Sequence, residues 1–117
     1  MAYDEVLAAR IRDLLSNEHH IEEKKMFGGL AFLIRGNMAI AASGQGGAMV
    51  RVNPDDSDRL VKTSRAEHLV MRGKEMSGWL RVSSENVATK RQLEKWVRLS
   101  VRYASSLPDK TESKRRR

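Results

Sequence analysis

The stretch Leu30-Ala31-Phe32-Leu33-Ile34-Arg35-Gly36-Asn37-Met38-Ala39-Ile40-Ala41-Ala42, continued by Ser43-Gly44-Gln45-Gly46-Gly47-Ala48-Met49-Val50-Arg51-Val52, decides the fold. Leu30, Phe32 and Ile34 alternate with Ala31, Leu33 and Arg35, the period of a strand. Gly36-Asn37 offers the positive φ angles of a two-residue hairpin turn, and Met38 to Ala42 reads as the returning strand. Gly44-Gln45-Gly46-Gly47 reads as a second turn. Ala48, Val50 and Val52 then face one way, Met49 and Arg51 the other. Three consecutive strands with short turns predict an antiparallel meander.

Working outward, Asp4 to about Asn17 reads as an amphipathic helix, with Leu7, Ile11, Leu14 and Leu15 on one stripe. Asp4 and Glu5 suit its first turn, where the helix dipole favours acids. Downstream, Asn53 is a plausible cap and Pro54 a first helical residue. Asp55, Asp56 and Asp58 load the start of a short helix to about Lys62. Trp79 to Ser83 alternates as a strand, with a partner near Leu69 to Met71. Thr89 and Gln92 have capping-box spacing. They open a last helix with Leu93, Trp96, Val97, Val101 and Ala104 on its buried stripe, closed by Pro108.

The expected order is α-β-β-β-α-β-β-α. Strands in the middle and helices at both ends predict a two-layer α+β domain, an antiparallel sheet of 4-5 strands with flanking N- and C-terminal helices. Residues 1–108 are read as one domain. Residues 109–117 hold no apolar side chain and are read as a disordered basic tail.

The 117 residues suit a single core that needs no disulfide or metal staple. The chain has no cysteine, which removes thiolate chemistry and Cys-type zinc sites. No apolar run approaches the roughly 20 residues of a membrane span. The charged residues from Met1 to Arg12 occupy the place where a signal peptide has its apolar segment. These features place the chain in the cytoplasm. The net charge is +7, yet the first 23 residues carry the acids Asp4, Glu5, Asp13, Glu18, Glu22 and Glu23 against only Arg10 and Arg12. A basic body can steer an anionic partner, and a solubility role explains the same charge.

No catalytic constellation emerges. No serine sits in a nucleophile elbow. His19 and His20 are adjacent, without the i,i+4 spacing of ligands on one helix face. Asp55, Asp56 and Asp58 lack the central glycine and terminal glutamate of a calcium loop, and helix-start acids account for them. Gly44-Gln45-Gly46-Gly47 precedes a strand, where a phosphate loop needs a helix N-terminus. The expectation is no catalytic residue, no metal and no cofactor. The string Met26-Phe27-Gly28-Gly29 reads as a bulge or kink in preference to a binding loop.

Two surfaces remain as candidates. Arg91, Lys95, Arg98 and Arg102 recur at i, i+4, i+7 and i+11 on the last helix, a basic stripe that could track phosphates together with Lys114, Arg115, Arg116 and Arg117. A solvated helix face explains the same pattern, and Glu94 can pair with Arg98. Trp79 and Arg81 would point away from the core if Leu80 and Val82 point into it, an aromatic beside an arginine as at interfaces. Another element covering that face is the equal alternative.

Lys25-Met26-Phe27-Gly28-Gly29-Leu30-Ala31-Phe32, Gly36-Asn37-Met38, Val50-Arg51-Val52, Gly73-Lys74-Glu75-Met76-Ser77-Gly78-Trp79-Leu80-Arg81-Val82 and Leu93-Glu94-Lys95-Trp96-Val97 together resemble the N-terminal domain of the TfoX/Sxy family of competence regulators. The resemblance covers about Tyr3 to Lys110. It implies an α+β domain similar to the fold of type III secretion chaperones, and a bacterial origin. It also implies a role in transcriptional or competence regulation. Two-domain members add a C-terminal helical domain, for which this chain has no room. The family carries over no catalytic residue, and Gly28, Gly29, Gly36 and Gly78 match as structural positions. Two functions are expected from these readings. The first is a non-enzymatic regulatory domain that contacts a protein partner or forms a homodimer. The alternative is direct nucleic-acid binding through the stripe and tail.

Overall fold

The computed structural model describes residues 3–26 and 28–108. Its elements run α1 (Glu5–Leu14), β1 (Ile21–Met26), β2 (Gly29–Ile34), β3 (Asn37–Ala42), β4 (Ala48–Arg51), α2 (Pro54–Ser64), β5 (Glu67–Met71), β6 (Lys74–Val82), a 3-10 turn (Ser84–Val87) and α3 (Lys90–Ser105). The strands form one antiparallel sheet in the order β1-β2-β3-β4-β6-β5. The meander accounts for the first four positions. After β4, α2 carries the chain past the next position, so that β5 becomes the edge and β6 returns between β5 and β4.

The expected α+β class holds, but the count of 4-5 strands and the order α-β-β-β-α-β-β-α need correction. The sheet has six strands, because Ile21–Met26 pairs with β2 as an edge strand from Ile21↔Ile34 to Met26↔Gly29. Four consecutive charges, Glu22 to Lys25, hide the alternation of that strand; such charges suit an edge and guard it against further pairing. The first helix is correspondingly shorter than Asp4 to Asn17 and ends at Leu14.

Met26 ends β1 and Gly29 opens β2, so the glycine pair expected as a bulge or kink entering the first long strand stands where one strand passes to the next. Gly29 lies against β3 so closely that a Cβ would collide with the Ala42 carbonyl oxygen. The β2–β3 turn is also shifted by one residue. Arg35 and Gly36 take the positive φ angles, 52° and 83°, which a type I′ turn requires at both central positions. Asn37 instead starts β3, buried, and its Nδ2 donates to the Pro108 carbonyl at 2.8 Å.

The helix ends follow their sequence signals. Asp4 Oδ1 accepts from the Val6 and Leu7 amides, and Asn53 Oδ1 accepts from the Asp55 amide at 2.9 Å. The Thr89–Gln92 capping box is complete in both directions.

The described helices all pack on one face of the sheet. Leu7, Ile11, Leu60, Leu93, Trp96 and Val97 share one core with Phe32, Ile40, Val50, Leu80 and Val82. A second, smaller cluster is drawn from strands alone: Ala31, Leu33, Ala41, Met49 and Leu69. It lies on the opposite face, and no described helix contributes a side chain to it, although Tyr103 of α3 reaches Arg51 at its border. No described helix is long and apolar enough to cross a membrane.

Candidate functional site

Strand register decides which residues meet on the helix-free face. On β4 and β6, Ala48↔Val82 and Val50↔Leu80 point into the main core, so Met49↔Arg81 and Arg51↔Trp79 point away from it. On β2 and β3, Ala31↔Ala41 and Leu33↔Met38 share that outward face. Gly78 sets the aim of β6. It adopts φ +80°, and its carbonyl accepts from the Val52 amide at 2.8 Å, turning Trp79 into line with Arg51.

Met26, Met38, Met71 and Trp79 pack as half-buried side chains against Ala31, Leu33, Ala41, Met49 and Leu69. The last strands add Met76, 37% exposed. Met38, Met49, Leu69, Met71, Met76 and Trp79 line an open apolar cavity of about 200 Å³. Five of the chain's six methionines therefore gather on one face: Met26, Met38, Met49, Met71 and Met76. Methionine is unbranched and polarizable, and it is used where a surface must adapt to the shape of what it holds.

Two arginines flank Trp79 on this face. The Arg51 guanidinium carbon lies 5.7 Å from the Trp79 ring and 5.5 Å from the Tyr103 ring, within cation–π range of both. Its Nη1 donates to the Met38 carbonyl at 3.4 Å. Arg81 donates through Nη1 to Ser43 Oγ at 3.5 Å and through Nη2 to the Gln45 carbonyl at 3.4 Å. Both side chains are half-buried, and neither forms an ion pair among the described residues. Glu67 stands opposite Arg81 in the ladder without pairing to it.

Trp79 and Arg81, singled out in the sequence, thus sit on the helix-free face, with Leu80 and Val82 fully buried behind them. The methionines and Arg51 escaped notice as a group. Their common property is an odd or even place in a strand, and it becomes visible only when the strands are put in register.

The basic stripe is elsewhere. Arg91, Lys95, Arg98 and Arg102 are all exposed on the outer side of α3. Arg98 approaches Glu94 at 3.6 Å, and Lys95 Nζ donates to Ser64 Oγ at 2.9 Å while lying 5.1 Å over the Trp96 ring. Arg59 of α2 borders the same open groove, and its own partner is Asp56 at 3.5 Å. Lys114, Arg115, Arg116 and Arg117 lie outside the described residues. Asp58 pairs across to β5, 3.1 Å from His68 Nε2, and no group of three or more His, Cys, Asp or Glu suited to a metal occurs among the described residues.

One ionised pair is perturbed. Arg12 of α1 clasps Glu23 of β1 with two hydrogen bonds, Nε to Oε2 at 2.6 Å and Nη2 to Oε1 at 2.8 Å. That hydrogen bonding, more than the Coulomb attraction, holds the Glu23 carboxyl below its ordinary pKa and raises that of Arg12. The pair fastens the edge strand to the first helix and stands apart from the methionine face.

The family model described as the TfoX N-terminal domain matches residues 13–104. No curated protein sequence matches the chain.

Proposed function

We propose that this chain, which belongs to the TfoX N-terminal domain family, regulates by holding a segment of a partner protein against the methionine-lined face of its sheet. Membership of this family supports a non-catalytic, regulatory role for the domain. The observation that carries the reading is the position of the second apolar cluster. A two-layer domain buries one sheet face under its helices. Here the other face is apolar as well, carries a cavity of about 200 Å³, and has none of the described helices over it. An apolar hollow walled by adaptable methionines suits a side chain of a partner. We place this activity in the cytoplasm, where regulation of transcription, the role implied by the family resemblance, would operate.

Nucleic-acid binding has weaker support. The cations of α3 are solvent-exposed, and Arg98 and Arg59 already face carboxylates on their own helices. The arrangement is that of a solvated helix face.

The test is site-directed photo-crosslinking in cells that make the protein. A photoreactive phenylalanine replaces Met76 on the open face, or Arg91 on α3. Cross-linking of one distinct protein from position 76 and not from position 91 is the expected result. Equal labelling from both positions, or none from position 76, would contradict the reading.

A further inference from the structure

The chemistry of the occupant follows from the face itself. We infer that it is an amphipathic helix of the partner carrying carboxylates beside its apolar stripe. This inference rests on the docking reading above.

A helix fits because the binding surface is a sheet face. An added strand would pair with a sheet edge, through main-chain hydrogen bonds. A face has no free backbone groups to offer and takes side chains, as it takes those of α1 and α3 on its other side. The cavity bounded by Met49, Met71, Met76 and Trp79 accepts one anchor. An apolar cavity of about 150 Å³ is enough to hold a benzene ring, so one aromatic or branched aliphatic side chain fits. The methionines let the walls adapt around it.

Carboxylates fit because of Arg51 and Arg81. Half-buried guanidinium groups are costly to leave without a counter-ion. Their present acceptors are a carbonyl or hydroxyl at 3.4–3.5 Å, long for hydrogen bonds, with no ion pair among the described residues. Arg51 stands directly across from Trp79, and Arg81 is two residues along the same strand. Diagonal neighbours of this kind lie about 7–8 Å apart. Acidic side chains one helical turn apart lie about 5–6 Å apart at Cβ, so long arginine side chains can reach both while the anchor fills the cavity lined by their cross-strand partners Trp79 and Met49.

The chain's own segments do not match this description. Residues 109–117 contain no apolar side chain. Helix α1 of a second copy is a rival, yet its charges cancel and its outward face presents Val6 as its single exposed large hydrophobe, which makes no acidic apolar stripe.

The test uses a fluorescein-labelled peptide of about 16 residues, long enough to form a helix, with a leucine stripe flanked by glutamates, and a twin with lysine for every glutamate. Anisotropy titrations are made with the full chain, with Arg51→Glu/Arg81→Glu, with the charge-matched Arg91→Glu/Arg98→Glu, and with Met49→Lys. Circular dichroism establishes that each variant is folded, and Arg51→Gln/Arg81→Gln replaces the reversal if that variant is not. The glutamate peptide should bind at least about tenfold more tightly than its twin. Arg51→Glu/Arg81→Glu should reverse that preference, the glutamine pair should abolish it, and Arg91→Glu/Arg98→Glu should leave it in place. Met49→Lys should weaken both peptides.

Equal affinity for the two peptides, failure of either to bind, or a preference lost with Arg91→Glu/Arg98→Glu would overturn the inference. The docking reading would survive those outcomes if position 76 still cross-links one partner. Cross-links from position 76 that join two copies of this chain would overturn the inference in favour of self-association.

Discussion

At the scale of single residues, the legible features are those whose chemistry is local. Asn53 and Thr89 cap helices because a short polar side chain beside an apolar run satisfies free amides a few residues on, and Asp4, read as a first-turn acid, does the same one position earlier. Arg12 and Glu23 were not legible as a pair, since their meeting depends on β1 folding back beside α1. The pair has a pH consequence. The Glu23 carboxyl is depressed in the folded state, so its contribution to stability is present above the unfolded-state pKa and is lost as pH falls through the lower folded value. Both side chains are at the surface, so the effect is small. In urea titrations, Glu23→Gln is expected to be less stable than the parent chain at neutral pH. The difference should narrow as pH falls below the ordinary carboxylate range, toward the lower value of the folded state. A difference that stays constant over that interval would show that the pair does not act through ionisation.

At the scale of elements, alternation was enough to find β2, β4 and the core of β6, because each places large apolar side chains on the helix-covered face. It missed β1, whose charges make it read as a loop, and it placed the β2–β3 turn one residue late. Asn37 is a turn former by composition, but its amide is used inside the fold, on the Pro108 carbonyl. The two sheet faces should also differ in what they contribute to stability. Leu80 is fully buried beneath the helices, and Leu80→Ala should cost about 2–5 kcal/mol. Met76 borders the open cavity, 37% exposed, and Met76→Ala should stay within about 0.5 kcal/mol. Urea midpoints of the two variants check this. A large loss from Met76→Ala would mean that the open face is part of the stabilising core.

At the scale of the whole molecule, helices on one side and methionines on the other leave a basic chain of net charge +7 with a second apolar surface to cover. The sequence showed the family and the α+β class. It showed Trp79 as outward-facing without showing what surrounds it, because Met38, Met49 and Met71 come from three strands and meet only in the folded sheet. The most direct measurement of the central claim is a methyl spectrum of the full chain with 13C-labelled methionine, recorded alone and with the partner identified by cross-linking. The account predicts large shifts at Met49, Met71 and Met76. Binding of that partner with those three methyls unmoved would contradict it.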